Sequence, residues 1–369
     1  MGIYYILMAV LWGGILVMWQ QNKYKYDKKF FIFTAVMLVV MVAFRDKNVG
    51  MDTMNYLYYF NNPYRGYTDG RTIDEMEPAY TALNFLLAYI SRNSAFFIFT
   101  TALLTMIPVM VGLYKYSPFR TLSLFLLLTA GTLTSFCVFY FSMIRQCLAI
   151  SCLYIAIYML YTNGKKYNLK VMFWIILGVC FHFSSIAALP FFFICKINLS
   201  VKPYLIMLTV SCIIAVLANM FNLSNYIDTI FTLTGRDLGF YFDSTRVEGS
   251  NWMAFIPLTM IVLFIYLYAS ETTRNNIFVK LFSYGVLINN VFSQLMPTNS
   301  DRFVLFYIIS LIWALPIVVR DKAIPHKLRT GLLLVCCAYF TYKFDVVLNY
   351  YVSVSQYING IAPYKSILF

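Results

Sequence analysis

The chain is poor in charge: only 12% of its 369 residues are Asp, Glu, Lys or Arg, about half the share of a soluble globular protein, and histidine occurs twice. That scarcity excludes an ordinary water-soluble domain. The eight cysteines (137, 147, 152, 180, 195, 212, 336 and 337) lie in or beside apolar runs, with no CxxC and no Cys/His ligand spacing. A disulfide framework and a zinc site are thereby set aside, and the cysteines read as small apolar residues. The start of the chain has no basic segment and no small-residue cleavage site, so Tyr4 to Trp19 reads as a retained span rather than a signal peptide.

What is abundant is apolar length. Hydrophobic residues make up 61% and the mean hydropathy is +0.71. Apolar stretches at 3–19, 30–44, 95–114, 121–142, 145–162, 203–222, 253–270, 277–294, 303–319 and 330–347 are spans in the sequence reading. As helices, runs of about 20 residues cross roughly 30 Å of hydrocarbon. Two shorter runs, 171–181 and 184–195, form a broken helical hairpin and bring the expected count to 12 crossings. The expected fold is therefore all-α, a polytopic transmembrane helix bundle forming one domain over 1–369. Residues 79–91 are apolar but reach only about 20 Å as a helix, so they read as a re-entrant or interfacial segment.

Charge then sets orientation. With 79–91 not crossing, the connections at 20–29, 115–120, 163–170, 196–202, 271–280 and 320–329 fall on one face and hold 17 basic residues against Asp27, Glu271 and Asp321. The other face keeps 11 basic and 12 acidic residues. This is a positive-inside pattern with both termini outside. The net charge of +13, which in a soluble protein would suggest nucleic acid, is thus an orientation signal, and no nucleic-acid partner is expected. The inner face carries 13 Lys and 4 Arg, the outer face 8 Arg and 3 Lys. Arginine mixed with carboxylates suits bidentate anion recognition, with loop ion pairs as the plainer alternative.

Two outer loops, 45–78 and 223–252, are long enough to be functional. The second holds Tyr226, Phe231, Phe240, Tyr241, Phe242 and Trp252 beside Asp, Asn and Arg, a composition that stacks on sugar rings or forms an aromatic belt at lipid headgroups. Polar groups also gather at five outer mouths of spans, where they are costly without a purpose. These are the stretch from Arg45 through Gly50 and Asp52 to Tyr56, Glu77-Pro78, Arg145-Gln146, Phe181-His182-Phe183-Ser184-Ser185, and Asp301-Arg302. Arg145 interrupts 41 otherwise uncharged residues from Thr121 to Tyr161, and His182 is the single outward histidine. Snorkelling and structural hydrogen bonding are the ordinary uses of such residues.

The pattern Arg45…Val49-Gly50-x-Asp52-Thr53-x-x-Tyr56, then Glu77 before a helix, Arg145-Gln146-x-Leu148-Ala149, Phe181-His182-x-Ser184-Ser185, Asp301-Arg302 and the tail Ala362-Pro363-Tyr364-Lys365 resembles the EpsG-like branch of the Wzy-type polysaccharide polymerases. The resemblance runs from about residue 30 to the C-terminus; Met51 stands where the family often has a small polar residue. It implies an integral membrane glycosyltransferase of the GT-C type in the bacterial cytoplasmic membrane. Such an enzyme joins undecaprenyl-diphosphate-linked oligosaccharide units on the outer face into capsule, exopolysaccharide or O-antigen. Donor and acceptor are both lipid-linked, no cofactor is called for, and a chain-length regulator and a flippase of the same pathway are candidate partners.

The chemistry of that reaction needs charge stabilisation of a departing diphosphate and activation of an acceptor hydroxyl. Arg145 and Arg302, with Arg45 assisting, are the candidate diphosphate ligands, which guanidinium groups can hold without a metal. His182 or Glu77 is the candidate base, and Asp52, Tyr56, Gln146 and Asp301 the sugar-binding or orienting groups. No metal ligand set is assigned; Asp74-Glu75-x-Glu77 is the one acidic cluster. A lipid-linked oligosaccharide flippase or exporter, a membrane-bound O-acyltransferase and a non-catalytic assembly scaffold are the competing readings. The first should show an internal repeat, and the second a His/Asn pair; neither is evident in the sequence.

Overall fold

A computed structural model describes residues 2–20, 24–62, 76–131, 135–164, 166, 168–198, 200–221, 223, 252–295, 300–355 and 359–368. Among these residues the structure is helical, with no strand beyond one isolated bridge between Arg45 and Ser366. Six helices are long and apolar enough to cross a membrane: Gly2–Gln20, Ser94–Tyr116, Ile144–Thr162, Val201–Met220, Arg302–Val319 and His326–Ser353. The protein is a membrane protein. Chain contacts divide it into two compact units, Met1–Ala130, Thr134–Ile186 and Leu334–Phe369 in one, and Gly131–Leu133 with Ala187–Leu333 in the other.

The first unit holds α1 (Gly2–Gln20), α2 (Asp27–Ala43), α3 (Thr53–Asn61), α4 (Pro78–Ile90), α5 (Ser94–Tyr116), α6 (Arg120–Thr129), α7 (Phe136–Ser142), α8 (Ile144–Thr162) and α9 (Leu169–Phe181). Local chemistry explains several boundaries. Asn93 and Asn168 accept hydrogen bonds from Ala95 N and Val171 N and so cap α5 and α9. Asp27, in the first turn of α2, is buried and accepts from the backbone of Arg120 and Thr121 and from the Thr121 hydroxyl, tying α2 to the start of α6. Outward faces carry exposed large apolar side chains, Ile32, Phe33 and Val36 on α2 and Ile107 and Val111 on α5, as lipid contact requires.

The expected spans are not all continuous helices. The run 121–142 is broken into α6 and α7, with Met143 separating α7 from α8. The segment 79–91 is a 13-residue helix, α4, and 184–195 is a 3-10 stretch followed by α10 (Leu189–Ile194). The C-terminal helix is longer than expected, 28 residues rather than 330–347.

The second unit contains α10, α11 (Val201–Met220), α12 (Trp252–Tyr268), α13 (Glu271–Arg274), α14 (Ile277–Leu295), α15 (Ser300–Ile308) and α16 (Leu311–Val319), followed by the long helix α17 (His326–Ser353), which continues into the first unit. Tyr204 stacks on Tyr266 at 3.6 Å and donates to the carbonyl of Ser283. The buried Lys280 ammonium donates to the Ile197 carbonyl at 2.8 Å and to Asn198, just beyond the end of α10, where the helix dipole favours a cation.

Candidate active site

Four of the sequence-named residues, Glu77, Arg145, His182 and Tyr56, meet in the first unit. Glu77 precedes Pro78 and therefore takes extended backbone (φ −62°, ψ 139°), while Pro78 starts α4 without needing a donor. This turns the Glu77 side chain away from its own helix, and it makes no capping bond there. Its Oε2 accepts from Arg145 Nη1 at 2.7 Å; its Oε1 lies 2.7 Å from His182 Nδ1 and accepts from Phe183 N at 3.2 Å.

Arg145 reaches the site because α7 stops at Ser142 and α8 restarts at Ile144 around Met143 (φ −102°, ψ 63°). A cation in the first turn opposes the helix dipole, so the charge at the start of α8 is doubly positive and Glu77 answers it. The guanidinium lies 6.0 Å from the Tyr56 ring and 5.9 Å from the Tyr80 ring, which meet each other edge to face. His182 ends α9, in extended backbone after Phe181, with its N–H on the Gly178 carbonyl. Gly178 lies against α8: a Cβ there would stand 3.1 to 3.3 Å from Leu153 and the Ala149 carbonyl.

The three side chains are neither sealed nor open, with side-chain exposures of 25% for Arg145, 17% for His182 and 13% for Glu77. Beneath them Tyr56, Leu57, Phe60, Tyr80, Phe97, Ile144 and Leu148 form an apolar floor. Burial by itself would raise the Glu77 carboxyl, but the His182 hydrogen bond and the Arg145 charge outweigh it and hold the group down at about 2. Glu77 is therefore a carboxylate at neutral pH. A carboxylate only accepts, so Nδ1 of His182 donates, which leaves Nε2 as the nitrogen able to exchange a proton. Among the described residues Nε2 has no hydrogen-bond partner.

Arg45 is placed differently. It is 1% exposed, and its Nε, Nη1 and Nη2 donate to the carbonyls of Val49, Val42 and Phe141 at 3.2, 2.7 and 3.2 Å. Burial pulls the guanidinium down to about 10, still charged at neutral pH. The rest of its motif serves the same turn. Gly50 has φ +104°, and a Cβ there would lie 2.1 Å from the Phe141 carbonyl oxygen. Thr53 Oγ1 donates to Val49 O, and Met51 N donates to Ser142 Oγ. The tail at 360–367 is laced onto this turn: Gly50 N donates to Gly360 O, Asp46 N to Lys365 O, Ile367 N to Phe44 O, and Tyr364 OH to Met41 O. Asp52 sits half-buried at the start of α3, and Gln146 is buried beside Arg145.

Arg302 lies in the second unit, half-buried in α15. The side chain of Asp301, residues 63–75 of the first loop with Asp74 and Glu75 among them, and 224–251 of the second loop lie outside the described residues. Tyr80 and the backbone of Phe183 were missed by sequence reasoning. The signal for Tyr80 was its place one helical turn after Glu77, inside a segment read only as apolar.

The EpsG family model matches residues 28–366. The chain belongs to the EpsG family. Membership of the EpsG family points to a polysaccharide-polymerase-type role. No curated protein and no solved structure matches this EpsG-family chain.

Proposed function

We propose that this EpsG-family chain is a GT-C-type glycosyltransferase with about 12 crossings. It would polymerise undecaprenyl-diphosphate-linked oligosaccharide units on the outer face of the bacterial cytoplasmic membrane, with both termini on that face. The observation that carries the reading is the Arg145–Glu77–His182 constellation at half-buried depth. In the proposed step the acceptor hydroxyl oxygen attacks the anomeric carbon of the donor, and the bond from that carbon to the diphosphate oxygen breaks. His182 Nε2 takes the hydroxyl proton, and the diphosphate leaves with the bonding electron pair toward Arg145.

Between the two candidate bases, His182 takes the role. A carboxyl held at about 2 binds a proton too weakly to serve at neutral pH, so Glu77 orients the ring instead. Arg145 uses Nη1 on Glu77 and is one-quarter exposed, so it has further N–H donors for phosphate oxygens. Arg45 is assigned a bracing role, because three carbonyls already occupy its nitrogens. Arg302 and Asp301 keep the diphosphate- and sugar-binding roles on the sequence resemblance, with Asp52, Tyr56 and Gln146 as orienting groups.

The test is incubation of the purified protein with a lipid-linked repeat unit, followed by product sizing. A ladder supports polymerisation, one larger conjugate means a ligase, and transport without chain growth means a flippase. Wild-type polymer length from folded Arg145→Ala and His182→Ala proteins would overturn the assignment of the site.

A further inference from the structure

The α2–α5 face of the first unit carries a feature that the Glu77 constellation does not use. A groove of about 550 Å³ runs between residues 31–40 of α2 and 103–115 of α5, lined by Phe31, Ala35, Val36, Ile107, Val111 and Tyr114, and its walls are apolar until Lys115. At 1.5 Å per residue the α2 side is roughly 14 Å long, close to the ~15 Å hydrocarbon depth of one leaflet.

The end of the groove at Lys115 is strongly basic. Lys28 Nζ stands 5.8 Å from the centre of the Tyr114 ring, with Lys29 next to it in the first turn of α2 and Lys25 in the 3-10 turn before that helix. Asp27 is the one acidic residue in the connections 20–29 and 115–120. It is 1% exposed and already holds Arg120 and Thr121. Among the described residues, therefore, no carboxylate pairs with Lys28 or Lys115, both of which are exposed. Lysines that only orient a membrane protein need no groove, and a chance apolar groove needs no lysines. Here one leaflet's length of apolar groove ends on two lysines that no carboxylate among the described residues pairs.

We infer that the α2–α5 groove binds one anionic glycerophospholipid, an acyl chain lying along Val36, Ile107 and Val111 and the phosphate held between Lys28 and Lys115. The site depends on the membrane character of the chain and not on the proposed glycosyl transfer, so either can fail without the other.

The experiment is native mass spectrometry of the full chain in micelles, titrated with phosphatidylglycerol or with phosphatidylcholine of identical acyl chains. Wild-type protein should retain one phosphatidylglycerol in preference. The Lys28→Gln/Lys115→Gln protein should lose about thirtyfold of that preference, the size expected for two lysines at a membrane surface. Val36→Trp/Ile107→Trp, which narrows the groove, should weaken retention of both lipids. The exposed pair Lys166→Gln/Lys170→Gln should change nothing. Equal retention of the two lipids by wild type, an unchanged preference in the Lys28/Lys115 protein, or the same loss in the Lys166/Lys170 protein would overturn the site. Displacement by glycerol phosphate or by an equal concentration of a polyprenyl phosphate would overturn the assignment to a glycerophospholipid. Each substituted side chain is exposed, so loss of fold does not cloud the reading.

Discussion

Arg45 and Arg145 both stand where an apolar helix meets a polar turn, yet their surroundings differ in kind. Arg45 is sealed, and its partners are three backbone carbonyls that cannot leave. Arg145 is a quarter exposed, and beside the Met76 sulfur its charged partner is one carboxylate that another anion can rival. A cation held by carbonyls organises the chain around it, because removing it strands buried acceptors. A cation held by a single carboxylate at a half-open site keeps donors for a ligand. The two regions are joined at one short segment: the Phe141 carbonyl accepts from Arg45 Nη2 and from Thr53 Oγ1, and Arg145 follows four residues later. The turn braced by Arg45 therefore sets where α8 begins.

The widest separation between the two arginines should come from alanine. Arg45→Ala should cost on the order of 5 kcal/mol, since the Val42 carbonyl loses its donor, those of Val49 and Phe141 are left to share Thr53 Oγ1, and a fully buried side chain leaves a cavity. The check is thermal unfolding in detergent, where Arg145→Ala should lose less Tm than Arg45→Ala, its loss being the share of the Glu77 pairing that Arg145 supplies, while losing polymerisation. A folded Arg45→Ala protein of unchanged Tm would break the comparison.

His182→Ala should lower polymerisation by about 10² to 10⁴, the usual contribution of a general base, with a smaller loss of Tm than Arg45→Ala. Rates measured on protein of confirmed monodispersity decide this.

Acid should sharpen the contrast next. The Glu77 pKa is lowered from 4.5 to about 2 in the folded protein. Its contribution, roughly 3 kcal/mol at 1.36 kcal/mol per pH unit, is therefore complete above the unfolded value and lost as pH falls from about 4.5 toward 2. Wild-type stability should drop across that window, and Glu77→Gln should show a flatter curve that starts lower. Parallel curves would remove the ionised Glu77 from the account.

Gly50→Ala should cost about 2 kcal/mol, because the residue has φ +104° and a Cβ would strike the Phe141 carbonyl. A stability measurement on this variant tests the braced turn without touching any charge. Smallest of all, Tyr80→Phe should change Tm by less than about 0.5 kcal/mol equivalent, since the buried hydroxyl has no partner among the described residues while the ring beneath Arg145 is retained.

Several features were legible before any coordinates. The segment 79–91 was legible as a short apolar helix, and α4 has 13 residues. The interruption of the apolar run 171–195 was legible, and the chain there divides into α9, a 3-10 stretch and α10. Not legible was the division of 121–142 into α6 and α7, because Thr129 to Phe136 carries no proline to announce a break. Arg45 shows why residue type underdetermines role: as text it is one more outward arginine, and only the carbonyls converging on it reveal a brace.

By itself the sequence determined that the chain is an apolar helical membrane protein, because span length and the cost of unpaired backbone in lipid are local properties. It also named Glu77, Arg145 and His182 as residues out of place in apolar surroundings. Only the tertiary structure decided that they meet. Glu77 is 68 residues from Arg145 and 105 from His182, and no periodicity reaches across such distances. Their meeting depends on α4, α8 and α9 packing together, and with it the carboxylate that fixes the imidazole.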